Sequence, residues 1–194
     1  MRTNLFALAA AAAAAVLLAV PHPARAAAAA HRCEGGDIDS RGRSSVDGTE
    51  LAWDDSTKFD DARRHAIGIW AADTLTRVRI KPDDAGSYAD LEWKDTSQTG
   101  QGWNLVYGKW DPNTGTDHLW LNRAYLDDGK PRGKDVHRRR VAAHEVGHAL
   151  GFCHKNYGTG QYPSLLWADH GLIEGKGING PTLTDIQAYH APWG

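Results

Sequence analysis

The sequence has little of several residues that mark particular classes of protein. Its 194 residues include only two cysteines and one methionine. Lysine plus arginine (22) nearly balances aspartate plus glutamate (24), so the formal net charge is −2, without the excess of basic residues typical of nucleic-acid binders. No internal repeat is present, and a hydrophobic fraction of 41% excludes a disordered or collagen-like chain. We therefore expect a globular protein that has no nucleic-acid partner.

The longest apolar run lies at the N-terminus. Arg2 precedes the apolar stretch 5–20, and the small residues Ala24 and Ala26 follow it, which is the order found in a secretory signal peptide. The apolar stretch is short for a membrane span. We predict a signal peptide over residues 1–26, a secreted, extracellular protein, and no membrane anchor after the signal is removed.

Secretion bears on the two cysteines, because thiols in an oxidising compartment tend to pair. Only one intramolecular disulfide can form, between Cys33 and Cys153, and it would close a loop of about 120 residues. The chain-entropy model gives such a closure a stabilising effect of about 4–5 kcal/mol. Two free thiols, or a Cys33 thiolate that blocks a metal, are the alternatives.

Periodicity of the apolar residues predicts one domain after a short leader. Residues 27–50 are small and polar and are predicted to form an extended leader, and residues 51–194 are predicted to form the domain. Three helices are predicted, over 56–70, 135–150 and from Thr182 onward. Four strands are predicted, over 76–80, 89–94, 104–110 and 116–122, and the last two form a hairpin. The expected fold class is α+β, with helices packed on a sheet.

The strongest chemical signal is an H-E-x-x-H-x-x-G-x-x-H motif. On a helix, His144 and His148 lie one turn apart on the same face, so both imidazoles can bind one Zn²⁺. Glu145 can place its carboxylate beside the metal without binding it. Gly151 permits the positive φ that ends the helix, so His154 can return as a third ligand. Three protein ligands leave one position for water, which is typical of a catalytic zinc site.

With this motif the chain resembles the metzincin clan of zinc endopeptidases, and within it the matrixin-like, bacterial-type secreted proteases. The resemblance covers about residues 50–190, and the eleven-residue motif is its specific part. It implies a metzincin-like single domain with a twisted mixed sheet and three helices. It also implies the site residues, with Glu145 as the general base and the zinc ligands His144, His148 and His154.

The resemblance further implies that the substrate lies along an edge strand, for which Gly115–Asn122 is the candidate. The family has a methionine in a turn below the zinc, but Met1 is the only methionine here. Leu166, in the turn 163–167, takes that place with a similar volume. Residues 31–37 resemble the family's metal-blocking cysteine segment only faintly, because few residues precede them.

Other residues are weaker candidates. Four more histidines are interpreted as surface or core residues rather than extra ligands: His118, His137, His170 and His190. Arg138–Arg140 are interpreted as a solvated helix face, and Trp167 is the best candidate for a substrate pocket. Related enzymes bind structural Ca²⁺, but no D-x-D-x-D-G loop supports it here. The candidate carboxylates are Asp83, Asp84, Asp111, Asp127 and Asp128.

The expected activity is hydrolysis of peptide bonds in protein or peptide substrates, with Zn²⁺ as cofactor, by a monomer. Two alternatives remain open. One is a catalytically silent, zinc-containing binding domain, against which an intact Glu145 argues. The other is a zinc hydrolase of a non-protein amide, such as a cell-wall peptide link, which the motif does not distinguish from an endopeptidase.

Overall fold

The computed structural model describes residues 33–72, 74–84, 88–157 and 162–194, and the predicted signal peptide lies outside them. Five strands occur in this part of the chain: β1 (Glu50–Asp55), β2 (Arg79–Pro82), β3 (Leu91–Thr96), β4 (Gly108–Asp111) and β5 (Asp117–Asn122). Five α-helices accompany them: α1 (Asp60–Trp70), α2 (Arg123–Leu126), α3 (Asp135–Ala149), α4 (His170–Gly175) and α5 (Leu183–Trp193). No helix among the described residues is long and apolar enough to cross a membrane.

The strands form one mixed sheet in the order β2-β1-β3-β5-β4. All neighbouring strands are parallel except β4, which pairs antiparallel with β5 as the predicted hairpin. The α+β fold class is thus confirmed. The prediction that Gly115–Asn122 provides the edge strand is wrong, because β5 lies between β3 and β4 and its Leu119 faces Trp93 on one side and Trp110 on the other. The edge on this side is β4.

The core forms where α1 and α3 pack together beside the sheet. Ala62, Ala66 and Trp70 recur every four residues on α1, and all three are buried. The Trp70 indole Nε1 donates a hydrogen bond to the Ala143 carbonyl of α3, at 2.7 Å. This contact joins the first helix directly to the helix that carries most of the motif.

The three longest helices, α1, α3 and α5, lie where the sequence predicts helices, whereas several boundaries differ. Helix α1 begins at Asp60 rather than Ser56, because the Asp95 carboxylate accepts hydrogen bonds from the Thr57 hydroxyl at 2.5 Å and the Lys58 amide at 3.0 Å and so holds this segment outside the helix. Helix α3 begins at Asp135 as predicted and ends at Ala149, one residue before the predicted end.

Two predicted strands are shorter than expected. Strand β2 begins at Arg79, because the preceding amide of Val78 donates to the Tyr189 hydroxyl at 2.8 Å instead of to a strand. Strand β4 covers only 108–111, since the chain before it turns and Leu105 has a φ of 57°. Strand β1 and the short helices α2 and α4 were not predicted.

The N-terminal segment binds the chain that follows α3. The predicted Cys33–Cys153 disulfide is present, so neither free thiols nor a blocking Cys33 thiolate describe this structure. Backbone amides of Glu34 and Ser40 donate to the carbonyls of His154 and Gly151, each at 2.9 Å. Two short 3-10 turns, over 34–36 and 41–43, replace the expected extended leader in this segment.

The disulfide generates a stability prediction. Replacing both cysteines (Cys33→Ser with Cys153→Ser) should lower the free energy of unfolding by about 2–5 kcal/mol, because the bridge closes a loop of 120 residues. Urea unfolding followed by tryptophan fluorescence measures this loss. Wild-type protein kept in a reductant is the control and should match the double variant. Equal stability of wild type and double variant would show that the bridge contributes nothing.

Candidate metal centre

Helix α3 and the turn after it bring three histidines together. His144 and His148 leave one face of the helix, a turn apart. Gly151, with a φ of 90°, then reverses the chain, and a Cβ there would lie 2.3 Å from the Ser40 carbonyl oxygen. Only glycine fits both the conformation and the space. The reversed chain carries His154 back to the other two imidazoles.

The three imidazoles meet through their Nε2 atoms. The separations are 3.0 Å between His144 and His148, 3.2 Å between His144 and His154, and 3.1 Å between His148 and His154. Zn–N bonds of 2.0–2.1 Å in a tetrahedral site place nitrogens about 3.3 Å apart, so the triangle fits such an ion closely. These predicted residues therefore form a group able to hold a metal ion.

Hydrogen bonds at the opposite ring nitrogens orient two of these ligands. The Nδ1 of His144 lies 2.7 Å from the Leu165 carbonyl oxygen, and that of His148 lies 2.6 Å from the Phe152 carbonyl oxygen. Because a carbonyl only accepts, each Nδ1 carries the proton and each Nε2 presents a lone pair to the centre.

Burial keeps the three imidazoles in the neutral form that binds metals. It lowers the pKa of His144 well below its usual value and that of His148 to about 3, and the neighbouring imidazoles lower both further. Partial desolvation against the other two rings lowers the pKa of His154 too, although the residue as a whole is exposed and nearby Glu34 opposes this shift. No proton needs to leave these rings for a cation to bind at neutral pH.

Glu145 is a residue of α3, and its side chain points toward the edge strand β4. Its buried carboxylate accepts a hydrogen bond from the Trp110 amide of β4 at 2.9 Å. Burial raises the pKa of Glu145 to about 8, and the Trp110 bond opposes the rise. A Cβ on Gly108 would lie 2.6 Å from Val141 Cγ1 and 2.9 Å from Glu145 Cγ, so only glycine lets β4 approach this closely.

The predicted turn below the histidines is also present. Leu165 and Leu166 form it, and both are buried. The Asp185 carboxylate holds the turn by accepting from the Ser164 hydroxyl at 2.5 Å and the Leu165 amide at 2.8 Å. A Cβ on Gly147 would lie 2.9 Å from Leu166 Cδ1, so leucine supplies a close-packed apolar floor under α3.

One residue near the centre was missed by sequence reasoning. His170, the first residue of α4, was interpreted as an ordinary surface or core histidine. Its ring centroid lies 4.8 Å from that of His144, and one of its ligand atoms lies within 4.8 Å of those of His144 and Glu145. Burial lowers the pKa of His170 to about 4. No motif spacing marks it, because α4 starts after a loop whose path the sequence pattern does not reveal.

The structure places the other candidates away from the centre or in structural roles. Arg140 is buried and donates to the Ile178 carbonyl at 2.7 Å, so the interpretation of 138–140 as a wholly solvated face is wrong. Trp167 is buried in the core. His118 lies 3.6 Å from Glu92 on the sheet. Four of the five calcium candidates pair with lysine or arginine: Asp84, Asp111, Asp127 and Asp128.

Two cavities flank the centre. One has a volume of about 230 Å³ and is lined by Trp110, His148 and His154, among others. The other, of about 500 Å³, is lined by Tyr107 and His170, among others. Space for a ligand is therefore present beside the three histidines and beside His170.

No protein-family model matches the chain, and no curated protein matches it either. The geometry of the site is therefore the basis on which a function is proposed.

The triangle of imidazoles predicts how metal binding depends on its members. His154→Ala should weaken binding of Zn²⁺ by at least about 100-fold, since even loss of a group that only orients a ligand costs 10–100-fold. Competition with a chromophoric chelator measures the affinity. The exposed His190 on α5 provides a matched control, and His190→Ala should bind as the wild type does. Unchanged affinity in His154→Ala would exclude His154 as a ligand.

Proposed function

We propose that this chain is a secreted zinc endopeptidase of the metzincin type, similar to the matrixins. The observation that carries the proposal is the triangle of three Nε2 atoms, 3.0–3.2 Å apart, beside the buried carboxylate of Glu145. The disulfide is in keeping with secretion, because such bridges persist in oxidising compartments.

Zn²⁺ is the ion that suits this set of donors. Three neutral imidazoles without a thiolate or a second carboxylate are typical of catalytic zinc sites, which keep one position for water or substrate. When bound, Zn²⁺ polarises a carbonyl oxygen and lowers the pKa of bound water to about 7. His144, His148 and His154 would hold the ion.

Glu145 is the general base in this proposal. Burial alone raises its pKa to about 8, and a cation held by the three histidines would lower that pKa again and so restore the carboxylate. The Trp110 amide binds Oε2 of the carboxylate, which fixes its orientation and leaves Oε1 to take the proton of the attacking water. After water has added to the peptide carbon, Glu145 returns the proton to the leaving nitrogen. Burial excludes competing water from the carboxylate.

Strand β4 is the proposed platform for an extended substrate. As an edge strand it has one backbone side outside the sheet, where a peptide can add as a further strand. Trp110 of this strand contacts Glu145, so a peptide aligned on β4 passes beside the base. The two cavities offer space for its side chains.

The metzincin assignment is supported by the sequence motif together with the architecture around it. Three long helices, a mixed sheet and an apolar turn below the histidines are features that the resemblance implies. Leu166 fills the position of the family's methionine in that turn. Because the two side chains have similar volumes, we expect the replacement to have little effect on folding.

The base role of Glu145 generates the main test of this function. Glu145→Gln keeps an oxygen that can accept from the Trp110 amide but removes the base, so it should lower the kcat for cleavage of a quenched fluorescent casein by about 10²–10⁴-fold. Zinc content by mass spectrometry should equal that of the wild type.

The outcomes separate the alternatives. Loss of zinc together with activity would make Glu145 a structural residue. Zinc in both proteins but no casein cleavage by the wild type would contradict the endopeptidase assignment. In that case, release of amines from cell-wall fragments would indicate the non-protein amide, and its absence would indicate a silent binding domain.

A further inference from the structure

We propose that His170 is a catalytic residue of this centre: its imidazole donates a hydrogen bond to the scissile carbonyl oxygen as that oxygen becomes negatively charged. The proposal rests on the endopeptidase function proposed above. It assigns a fourth histidine to the site, outside the eleven-residue motif.

The start of α4 fixes the position of His170. The Asp169 side chain caps this helix by accepting from the amides of Gly171 at 2.7 Å and Leu172 at 3.2 Å. The His170 ring lies edge to face against Tyr107, with ring centroids 5.6 Å apart. It also lies against His144, with ring centroids 4.8 Å apart. Two rings and a capped helix thus hold the imidazole in place.

His170 lies on the Glu145 side of the centre. One of its ligand atoms falls within 4.8 Å of those of His144 and Glu145, whereas the zinc triangle joins His144 with His148 and His154. The two groups share His144 alone. His170 is therefore beside the base, where the reacting peptide group must lie, rather than a corner of the triangle.

The hydrogen bonding of His170 indicates a role toward a ligand. Its Nδ1 is buried and has no hydrogen-bond partner among the described residues. Buried polar groups nearly always have partners, because an unpaired one has lost its hydrogen bonds to water without replacement. The ring also lines the 500 Å³ cavity, so a substrate there contacts the imidazole, and a turn of the ring about its Cβ–Cγ bond brings Nδ1 to it. We infer that the substrate oxygen is its partner during reaction.

Arg132 is the charged donor that shares this cavity with His170. Its guanidinium, however, pairs with Glu174 and lies over the Tyr107 ring, 5.6 Å from the centroid. An imidazole N–H aimed at a developing oxyanion stabilises the transition state more than the ground state, and loss of one such donor lowers kcat by about 10²–10³-fold.

The step balances without any further reactant. The water oxygen forms a bond to the carbonyl carbon, the π electrons move to the carbonyl oxygen, and Glu145 takes the proton. A lone pair of the oxyanion then re-forms the C=O bond, the C–N bond breaks with its electron pair going to nitrogen, and Glu145 protonates that nitrogen. His170 keeps its proton throughout, so it contributes only the hydrogen bond.

The test compares His170→Phe with the wild type, with His190→Phe as a matched control on the exposed face of α5. In His170→Phe, kcat on a fluorogenic peptide should fall about 10²-fold with KM nearly unchanged, while zinc affinity stays the same. A phosphinic peptide, which mimics the tetrahedral intermediate, should bind about 10²-fold more weakly by calorimetry, and a peptide hydroxamate should bind equally. His170→Gln, which keeps a donor, should recover part of the loss.

Four results would overturn the proposal. Loss of zinc affinity in His170→Phe would make His170 a metal ligand. A rise in KM at constant kcat would make it a binding residue. Unchanged kcat and unchanged phosphinic-peptide affinity would remove it from the mechanism, and an equal loss in His190→Phe would show a nonspecific effect. Failure of the endopeptidase function is seen separately, because the wild type itself would then be inactive. In that case the phosphinic peptide still tests His170, and equal affinity in the wild type and in His170→Phe would reject its role.

Discussion

Three imidazole nitrogens within 3.2 Å of one another are the constraint on which the rest of the structure depends. Three such rings converge only if each is neutral and its orientation is fixed. At His144 and His148, burial keeps the ring neutral, and a backbone carbonyl bound to Nδ1 fixes its orientation. The convergence also requires neighbouring segments to pack closely against α3. Glycines at 108, 147 and 151 let the edge strand, the leucine floor and the N-terminal segment approach the helix at distances that a Cβ would prevent.

His154 requires separate support, because it lies beyond the end of α3 and is exposed. The N-terminal segment supplies that support. The disulfide, the bond from the Glu34 amide to the His154 carbonyl, and the ion pair of Asp39 with the fully buried Lys155 surround the third ligand. A buried ion pair contributes geometry more than net stability, so its role here is to fix the loop. Residues 33–50, predicted to be part of a leader, thus support the candidate metal centre.

Much of the site could be predicted because its information is local. The spacing of His144, Glu145 and His148 defines one helix face, Gly151 predicts the reversal, and two cysteines allow one pairing. The order of strands is long-range, and it was missed. Alternation in residues 117–122 reveals a buried face but not the neighbouring strands, so it does not show that β4, rather than β5, is the edge. His170 was missed for the same reason, since its contact with His144 depends on how the loop before α4 returns.

X-ray absorption of the zinc-loaded protein tests the central claim most directly, because it reports the ligands of the ion itself. We predict three imidazole nitrogens at about 2.0–2.1 Å and one oxygen, with no sulfur. The same spectrum from His170→Phe should be unchanged. A sulfur neighbour, a fourth imidazole in the wild type, or fewer than three imidazoles would contradict the account.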